Sequence, residues 1–303
     1  MPEPLPAISL VAVPERRRQT LDIARELDRR GFAGIYVPSR FGNMAQCMGL
    51  ALATKRITFG TAIAPIYARS VEDFAQEAAY LHEVSGGRFR FGIGVAHGPT
   101  HERLGVRPGE PLADVRGFVA RLGSYERIGD LPPIVLAALR KKMVALASEI
   151  AEGVIFANAS LSHVPNSLAA LPPGKRSDPS FMIGNMLPVC ISDDVAAAIA
   201  LLRRRFVRYA MLPNYRAYWN EAGYIEEMSA VEKAIAENRS ADIPKYLTER
   251  WIADNSVCGP AAKVNEGIQA WREAGVNTPV LVPNSVDGNQ ITALQEIFAV
   301  FGR

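Results

Sequence analysis

Short apolar segments alternate with longer amphipathic segments along most of this chain, and the apolar segments predict strands. The predicted strands cover Ala7–Val13, Gly34–Val37, Ile57–Ile63, Arg88–Val95, Ile134–Leu139, Gly153–Ala157, Phe181–Ile191 and Thr278–Val282. Most of these segments are apolar throughout rather than alternating between apolar and polar residues. That pattern is typical of parallel strands whose two faces are both covered by helices.

The amphipathic segments between the strands predict helices. In the first of them, Leu21, Ala24 and Leu27 recur at helical spacing and form one apolar stripe. The predicted helices cover Glu15–Arg30, Met44–Ala53, Val71 to about Gly86, Leu112–Arg127, Lys141–Glu152, Val195–Tyr209, Ala261–Ala274 and Ile291–Phe301.

The region before the last strand departs from this alternation. Leu161–Ser180 loses its periodicity and contains Pro172-Pro173-Gly174, so it includes a loop or an insertion. Two more helical stretches, Tyr215–Asn238 and Ile243–Ala253, come later in the same region. Eight strands alternating with helices predict an α/β protein with a (β/α)8 TIM-barrel fold. We expect one domain over residues 1–303, with a helical insertion at roughly residues 160–255 before the last strand.

The composition fits a globular domain of barrel size and narrows the classes of partner. Of 303 residues, 49% are hydrophobic and 21% are charged, and scattered residues carry the formal net charge of +3. The sequence contains no basic block of the kind that binds nucleic acid or membrane surfaces, no apolar run long enough for a bilayer, and no signal-peptide core. We therefore expect a cytoplasmic protein with no nucleic-acid or membrane partner.

The cysteines and the closest histidine pair give no metal-site signal. Cys47, Cys190 and Cys258 lie far apart in the sequence and form no CxxC motif, which favours a reduced compartment. His97 and His101 are four residues apart, but the proline between them disfavours the helical geometry of a metal-ligand pair.

The most distinctive segment is Val84–Thr100, in which a predicted helix ends at a Gly-Gly pair and a strand follows. The strand runs into Ala96–Pro99, which predicts an irregular loop. Gly92 and Gly94 have the spacing of a dinucleotide-binding motif. His97 takes the place of the third glycine, however, and a Gly-Pro pair stands where the helix of that motif should begin. The segment therefore predicts a ligand loop at a strand end rather than a Rossmann site.

In a barrel the active site lies at the carboxyl ends of the strands, so the loops there carry the candidate chemistry. These loops contain no evident Ser-His-Asp arrangement, no nucleophile elbow and no paired acids. Loops that are poor in acid–base residues favour a bound cofactor that carries the reaction.

A basic triplet, Arg140-Lys141-Lys142, follows one predicted strand and opens the next predicted helix. The free N–H groups and the dipole of a helix start attract anions, and the basic side chains add charge. We interpret the triplet as a phosphate site, and the alternative is a solvated helix face.

Three polar residues of the candidate loops have both a functional and a structural interpretation. His97 either hydrogen-bonds a cofactor ring or phosphate, or makes a structural hydrogen bond. Asn158 and Asn185, each interpreted as the end of a strand, either hydrogen-bond a flat heterocycle or serve as ordinary turn residues.

Tyr67 and Arg69 follow the third predicted strand and are also candidates. Arg69 either holds an anion or forms a salt bridge to Glu72 or Asp73. The sequence leaves both alternatives open.

Several motifs match a known family in order along the chain. They are Ile57–Ile63, Arg69, Ser85–Phe89, Gly92–Val95, Ala137–Leu139 and Ala151–Gly153. On these residues the chain resembles the bacterial luciferase-like family, and within it the coenzyme F420-dependent (deazaflavin) oxidoreductases. The block Ser85–Phe89 together with Gly92–Gly94 is the most specific of these motifs.

The resemblance implies a (β/α)8 barrel with an insertion and a flat tricyclic cofactor across its carboxyl-end mouth. It also implies a bulge with a non-proline cis peptide, which falls here at Ala62–Ile63. The phosphate-binding helix start of the family maps to Leu139–Met143, where Arg140-Lys141 replaces the usual Gly-Pro. At the second strand this chain has Pro38-Ser39-Arg40 where many members have an acid or a histidine.

These considerations give a predicted set of site residues, with His97 and Arg40 as the catalytic candidates. The predicted cofactor-binding residues are Ala62, Ile63, Tyr67, Arg69, Gly94, Val95, Ala96, His97, Leu139, Arg140, Lys141, Lys142, Met143 and Asn158.

Three hypotheses about function follow from the resemblance. The first is an F420-dependent oxidoreductase that moves a hydride between the deazaflavin and a small organic substrate. The second is an FMN-dependent monooxygenase that uses O2, and the third is a non-catalytic flavin-binding protein. The resemblance also implies a homodimer.

Overall fold

A parallel sheet that closes on itself is the central element of this computed structural model, which describes residues 4–39 and 42–301. Its strands are β1 (Ala7–Ser9), β2 (Gly34–Pro38), β3 (Thr58–Ala62), β4 (Ala64–Pro65), β5 (Phe89–Gly94), β6 (Ile134–Ala137), β7 (Gly153–Ala157), β8 (Met182–Ile191), β9 (Val257–Gly259) and β10 (Thr278–Asn284). The order around the ring is β10-β1-β2-β3-β5-β6-β7-β8, and β8 pairs with β10 to close it. The predicted (β/α)8 TIM barrel is confirmed.

Helices surround the barrel and cover its strands. They are α1 (Arg17–Arg30), α2 (Asn43–Ala53), α3 (Val71–Val84), α4 (Gly98–Leu104), α5 (Pro111–Leu122), α6 (Lys141–Ile150), α7 (Val164–Leu168), α8 (Pro173–Ser177), α9 (Val195–Ala210), α10 (Pro213–Glu221), α11 (Ile225–Ala236), α12 (Ile243–Tyr246), α13 (Glu249–Asn255), α14 (Ala261–Glu273) and α15 (Gln290–Phe301), with a 3-10 turn at Ser240–Asp242. None of the helices within the described ranges is both long enough and apolar enough to cross a membrane.

The apolar side chains form two cores, one between the strands and the helices and a smaller one inside the barrel. The inner core consists of Ala7, Tyr36, Ile63, Val135, Ile155, Met186 and Val280, with Ala62, Ala137, Ala157, Met182 and Val282 packed against it. These residues come from nearly every strand of the ring. The lumen is therefore a packed interior, as expected for a barrel of this size.

A β-bulge interrupts the pairing of β3 and β4 with β5. Gly60 stands opposite Arg90, whereas Ala64 stands opposite Ile93, so the first segment carries one extra residue. The hydroxyl of Thr61 donates to the carbonyl of Gly92 at 2.6 Å within this gap and supplies a hydrogen bond that the ladder lacks there. The bulge includes the peptide Ala62–Ile63, which is cis, as the family resemblance implied.

The opposite, amino-terminal end of the barrel is held by Arg88. Its guanidinium donates to the carbonyl groups of Ala51, Thr54 and Ile57 at 2.9–3.1 Å and to the Thr54 hydroxyl at 2.8 Å. It also donates to the carbonyl of Ser85 at 2.8 Å. Arg88 thus joins the end of α2, the start of β3 and the start of β5.

Asp28 reinforces the same end of the barrel. Its carboxylate accepts hydrogen bonds from the backbone N–H groups of Lys55, Arg56 and Ile57 at 2.7–3.1 Å. Burial opposes ionisation of this carboxyl, but the three N–H donors outweigh it, so the pKa of Asp28 lies below its ordinary value.

Three of the sequence predictions need correction. Ala96–Pro99 does not stay irregular, because α4 begins at Gly98 and accommodates the following proline in its first turn, where no N–H is needed. The stretch Tyr215–Asn238 is two helices rather than one, separated at Gly223, whose φ is +92°. Strand β9 was not predicted, because three residues carry no periodic signal.

We expect Arg88→Ala to lower the free energy of unfolding by at least about 3 kcal/mol, because several carbonyl groups lose one charged donor. Chemical denaturation followed by circular dichroism measures this loss. Arg25→Ala is the control, since Arg25 pairs only with the exposed Asp22 among the contacts described for it and should change stability little. Similar losses in both variants would contradict the structural role assigned to Arg88.

Candidate functional site

Small side chains form the upper surface of the inner core, at the carboxyl ends of the strands. Ala62, Ala137 and Ala157 come from three different strands and are each only partly buried. A Cβ atom at Gly94 would lie 2.9 Å from the Cβ of Ala137 and 3.3 Å from Cγ1 of Ile63. Because Gly94 has no side chain, nothing projects from it above this apolar surface. The base of the mouth therefore consists of small residues, Ala62, Gly94, Ala137 and Ala157, which we call the floor.

Asn43, the first residue of α2, fixes the bulge from the side. Its Nδ2 donates to the carbonyl oxygen of Ile63 at 3.1 Å, and its side chain is buried. Asn43 also lines a cleft of about 70 Å³ between the ends of β2 and β4 and helix α4, together with Arg69 and Thr100. This residue was not among the sequence candidates, although its place at a helix start after a strand is a usable signal.

Two glutamines hold the chain that follows β1. Gln46 accepts from the N–H of Ala12 and donates to the carbonyl of Leu10, at 3.0 and 2.9 Å. Gln290 makes the equivalent pair of bonds to the N–H and carbonyl of Val11, both at 2.9 Å. These amides satisfy backbone groups that a longer strand would have paired, which explains why β1 ends at Ser9 instead of Val13.

His97 lies at the end of β5, where Ala96 has a φ of +59° and turns the chain into α4. Its ring packs against that of Tyr215 with the centroids 5.4 Å apart. Burial, and next the charge of His101, lower the pKa of His97 below 6.5. His97 is therefore neutral near pH 7.

Tyr215 belongs to helix α10 and was missed by the sequence analysis. It is buried and packs against the rings of Tyr209 and Trp219 as well as that of His97. Burial raises the pKa of Tyr215 far above its ordinary value, so its hydroxyl stays protonated. Periodicity alone cannot assign a residue of an insertion to the mouth of a barrel.

Asn158 directly follows β7 and has a left-handed conformation, with φ +55°. Its N–H donates to the carbonyl of Met186 at 3.1 Å, and its side chain, beside the Tyr215 hydroxyl, is 3% exposed. Within the described residues its Nδ2 makes no hydrogen bond of good geometry, although the Tyr215 hydroxyl lies beside it. A buried amide of this kind is an available donor for a bound molecule.

The structure corrects the interpretation of Asn185 as a strand end. Asn185 lies inside β8, on the same side as Ile183 and Leu187, which belong to the outer core. Its Oδ1 accepts from the N–H of Ala159 at 3.4 Å. Asn185 therefore supports the chain after β7 from outside the lumen.

The basic triplet lies where α6 begins, and two residues separate it from the end of β6. Arg140 forms an ion pair with Glu221 of α10, at 2.5–2.7 Å, and Lys141 donates to Asn166 at 2.8 Å. Lys142 is exposed. The triplet therefore lies at the junction of the barrel and the insertion, and not on an isolated helix face. Of the flanking candidates, Leu139 and Met143 pack against the outer core.

Tyr67 and Arg69 both have protein partners. The hydroxyl of Tyr67 donates to Asp114 at 2.5 Å. Arg69 forms ion pairs with Asp73 and with Glu77. The pair with Asp73 agrees with the salt-bridge alternative stated for Arg69 from the sequence. These contacts favour a structural role for Arg69. Arg40 lies outside the described residues.

The insertion is fixed to the end of β7 through polar contacts, which are buried at Asn255 and more exposed at Asp254. Oδ1 of Asn255 accepts from the hydroxyl of Ser160 and from Nε1 of Trp219, both at 2.9 Å. Asp254 accepts from Ser162 and from the Tyr224 hydroxyl at 2.7–2.8 Å. Through these bonds the insertion holds α10, and with it Tyr215, over the mouth.

The comparison of sequences defines the class of protein. The chain belongs to the luciferase-like monooxygenase family, whose model matches residues 6–278. It is similar to a protein of Mycobacterium tuberculosis that is named as a coenzyme F420-dependent oxidoreductase. The two are 26% identical over 283 residues, which is 78% of this chain and 81% of that protein.

Solved structures share the fold at low identity. The F420-dependent tetrahydromethanopterin reductase of Methanopyrus kandleri superposes with a TM-score of 0.75 at 17% identity, over 97% of both chains. An F420-dependent secondary alcohol dehydrogenase, solved with an F420–acetone adduct, has a TM-score of 0.71 at 16% identity, over 99% of this chain and 100% of its own. Monooxygenases superpose less closely, with TM-scores of 0.58–0.62.

We expect the imidazole of His97 to titrate below pH 6.5 in an NMR experiment, because partial burial of the ring opposes protonation. Since the unfolded chain binds this proton more readily, the neutral ring supports stability fully above about pH 6.5, and that contribution is lost as the pH falls. His101→Gln should raise the titration midpoint of His97, because it removes the neighbouring charge that lowers this pKa. His82→Gln, a change in α3, should leave the midpoint unchanged. A titration midpoint at or above 6.5 in the unaltered protein would contradict the partly buried position of this ring.

Proposed function

We propose that this protein is an F420-dependent oxidoreductase that transfers a hydride between the deazaflavin and a small organic substrate. The observation that carries the proposal is the floor of small residues at the mouth, which lies beside the basic start of α6. A flat apolar ring system with an acidic tail matches that combination of shape and charge. The F420-dependent relatives support the same cofactor.

Two observations test whether the residues fit such a ring. No side chain projects from Gly94, where even a Cβ atom would come within 2.9 Å of Ala137. The buried Nδ2 of Asn158 makes no hydrogen bond of good geometry among the described residues and can donate to a polar edge of the ring. Both features agree with a planar heterocycle resting on the mouth.

Each part of the site then has a distinct task. Ala62, Ile63 and Ala137 would support the ring, and Arg140 and Lys141 would bind the acidic tail. The bound cofactor supplies the hydride chemistry. His97, neutral near pH 7, accepts a proton from a substrate hydroxyl, and Tyr215 holds its ring in place.

The substrate in this proposal is a small alcohol or carbonyl compound. Its reacting carbon would face the ring, and its oxygen would face His97. The resemblance to the family also supports a homodimer, which light scattering on purified protein would test.

Titration of the purified protein with F420 and with FMN, followed by fluorescence, tests the cofactor. We expect saturable binding of F420 and much weaker binding of FMN, since the basic start of α6 suits an extended acidic tail. Tight FMN binding without F420 binding would favour a monooxygenase instead. Stoichiometric F420 binding without turnover of any alcohol or ketone in a broad panel would favour a non-catalytic binding protein.

We expect Arg140→Ala combined with Lys141→Ala to weaken F420 binding at least tenfold, because charged hydrogen bonds contribute about 1.5–3 kcal/mol each. The matched control is Lys175→Ala with Arg176→Ala, which removes the same charge from α8, next to the start of β8. The control should bind F420 normally. Equal affinity of the two double variants for F420 would instead favour the interpretation of the triplet as a solvated helix face.

A further inference from the structure

The fold brings together two cysteines that are far apart in the sequence. Cys190 near the end of β8 is the direct register partner of Cys258 in β9, and both are free thiols. Register partners on adjacent parallel strands point to the same side of the sheet, with backbones about 4.8 Å apart. That separation lies in the range that a disulfide requires.

The two thiols differ in their surroundings. Cys190 is fully buried, and burial raises the pKa of its thiol to about 11, with Cys258, Glu296 and Asp287 adding to the effect. Cys258 is 9% exposed, and the ammonium of Lys263 opposes the rise that burial causes in its pKa. Cys258 is therefore the more accessible and the more easily ionised member of the pair.

We propose that Cys190 and Cys258 form a redox-responsive dithiol that a hydroperoxide converts into a disulfide between β8 and β9. The sulfur of Cys258 attacks the peroxide oxygen, the O–O bond breaks, and a sulfenic acid and water (or an alcohol) are formed. The sulfur of Cys190 then attacks the sulfur of Cys258, and the hydroxyl leaves as water with the thiol proton. The peroxide takes up the two electrons that the two thiols lose.

The position of the pair gives this modification a structural consequence. Cys190 and Cys258 stand at the two ends of the segment 191–257, which contains helices α9 to α13. A disulfide would join these two ends covalently, at the base of the segment that carries Tyr215 and Glu221. Oxidation would therefore lock the pairing of β8 with β9 where the insertion leaves and rejoins the barrel.

The test is mild peroxide treatment of the full chain, followed by intact mass measurement and peptide mapping without reductant. We expect a loss of two hydrogen atoms relative to the reduced chain with the same number of oxidised methionines, and one peptide cross-link that joins Cys190 with Cys258. Dithiothreitol should reverse both. Oxidation of Met211, which is 39% exposed, reports that the oxidant was active. Cys47→Ser should keep the cross-link and Cys258→Ser should abolish it.

Two results would overturn the proposal. One is an unchanged thiol content at peroxide levels that already oxidise Met211. The other is oxygen addition to single cysteines, or a cross-link that includes Cys47, in place of the Cys190–Cys258 bond. These readouts come from the unaltered chain and need no cofactor, so they do not depend on the proposed enzymatic activity.

Discussion

The close approach of β3 and β5 is the constraint on which the mouth of the barrel depends. A Cβ atom at Gly92 would lie 1.8 Å from the carbonyl oxygen of Thr61, and one at Gly60 would lie 2.3 Å from that of Arg90. Only glycine fits at either position, because the obstacle is backbone that cannot move aside. The strands can then meet at the bulge, where the Thr61 hydroxyl replaces a ladder bond and Ile63 joins the inner core.

The two ends of the barrel are held by different kinds of interaction. At the amino-terminal end, the charged groups of Arg88 and Asp28 bind clusters of backbone carbonyl and N–H groups. At the mouth, the neutral amides of Gln46, Gln290 and Asn43 hold the backbone instead. These neutral anchors fix the loops at the mouth without adding charge of their own.

Sequence reasoning succeeds here where the signal is local. The apolar segments predicted all eight strands of the ring, and the motif around Arg88 identified the family, although the structure shows that this arginine stabilises the fold rather than the site. The contacts of Tyr215 with His97 and of Cys190 with Cys258 were not predictable. Each depends on where the insertion returns to the barrel, and no periodicity encodes such long-range register.

The barrel and the insertion contribute different properties to the mouth. The barrel supplies a floor of small side chains, whose shape follows from glycine positions in its strands. The insertion supplies Tyr215 and Glu221, the side chains that contact His97 and Arg140. In the proposed function, a floor built from backbone and small residues suits any flat ring, so the selection of cofactor and substrate would rest on the side chains around it. How the insertion packs over the barrel would then determine much of that selection.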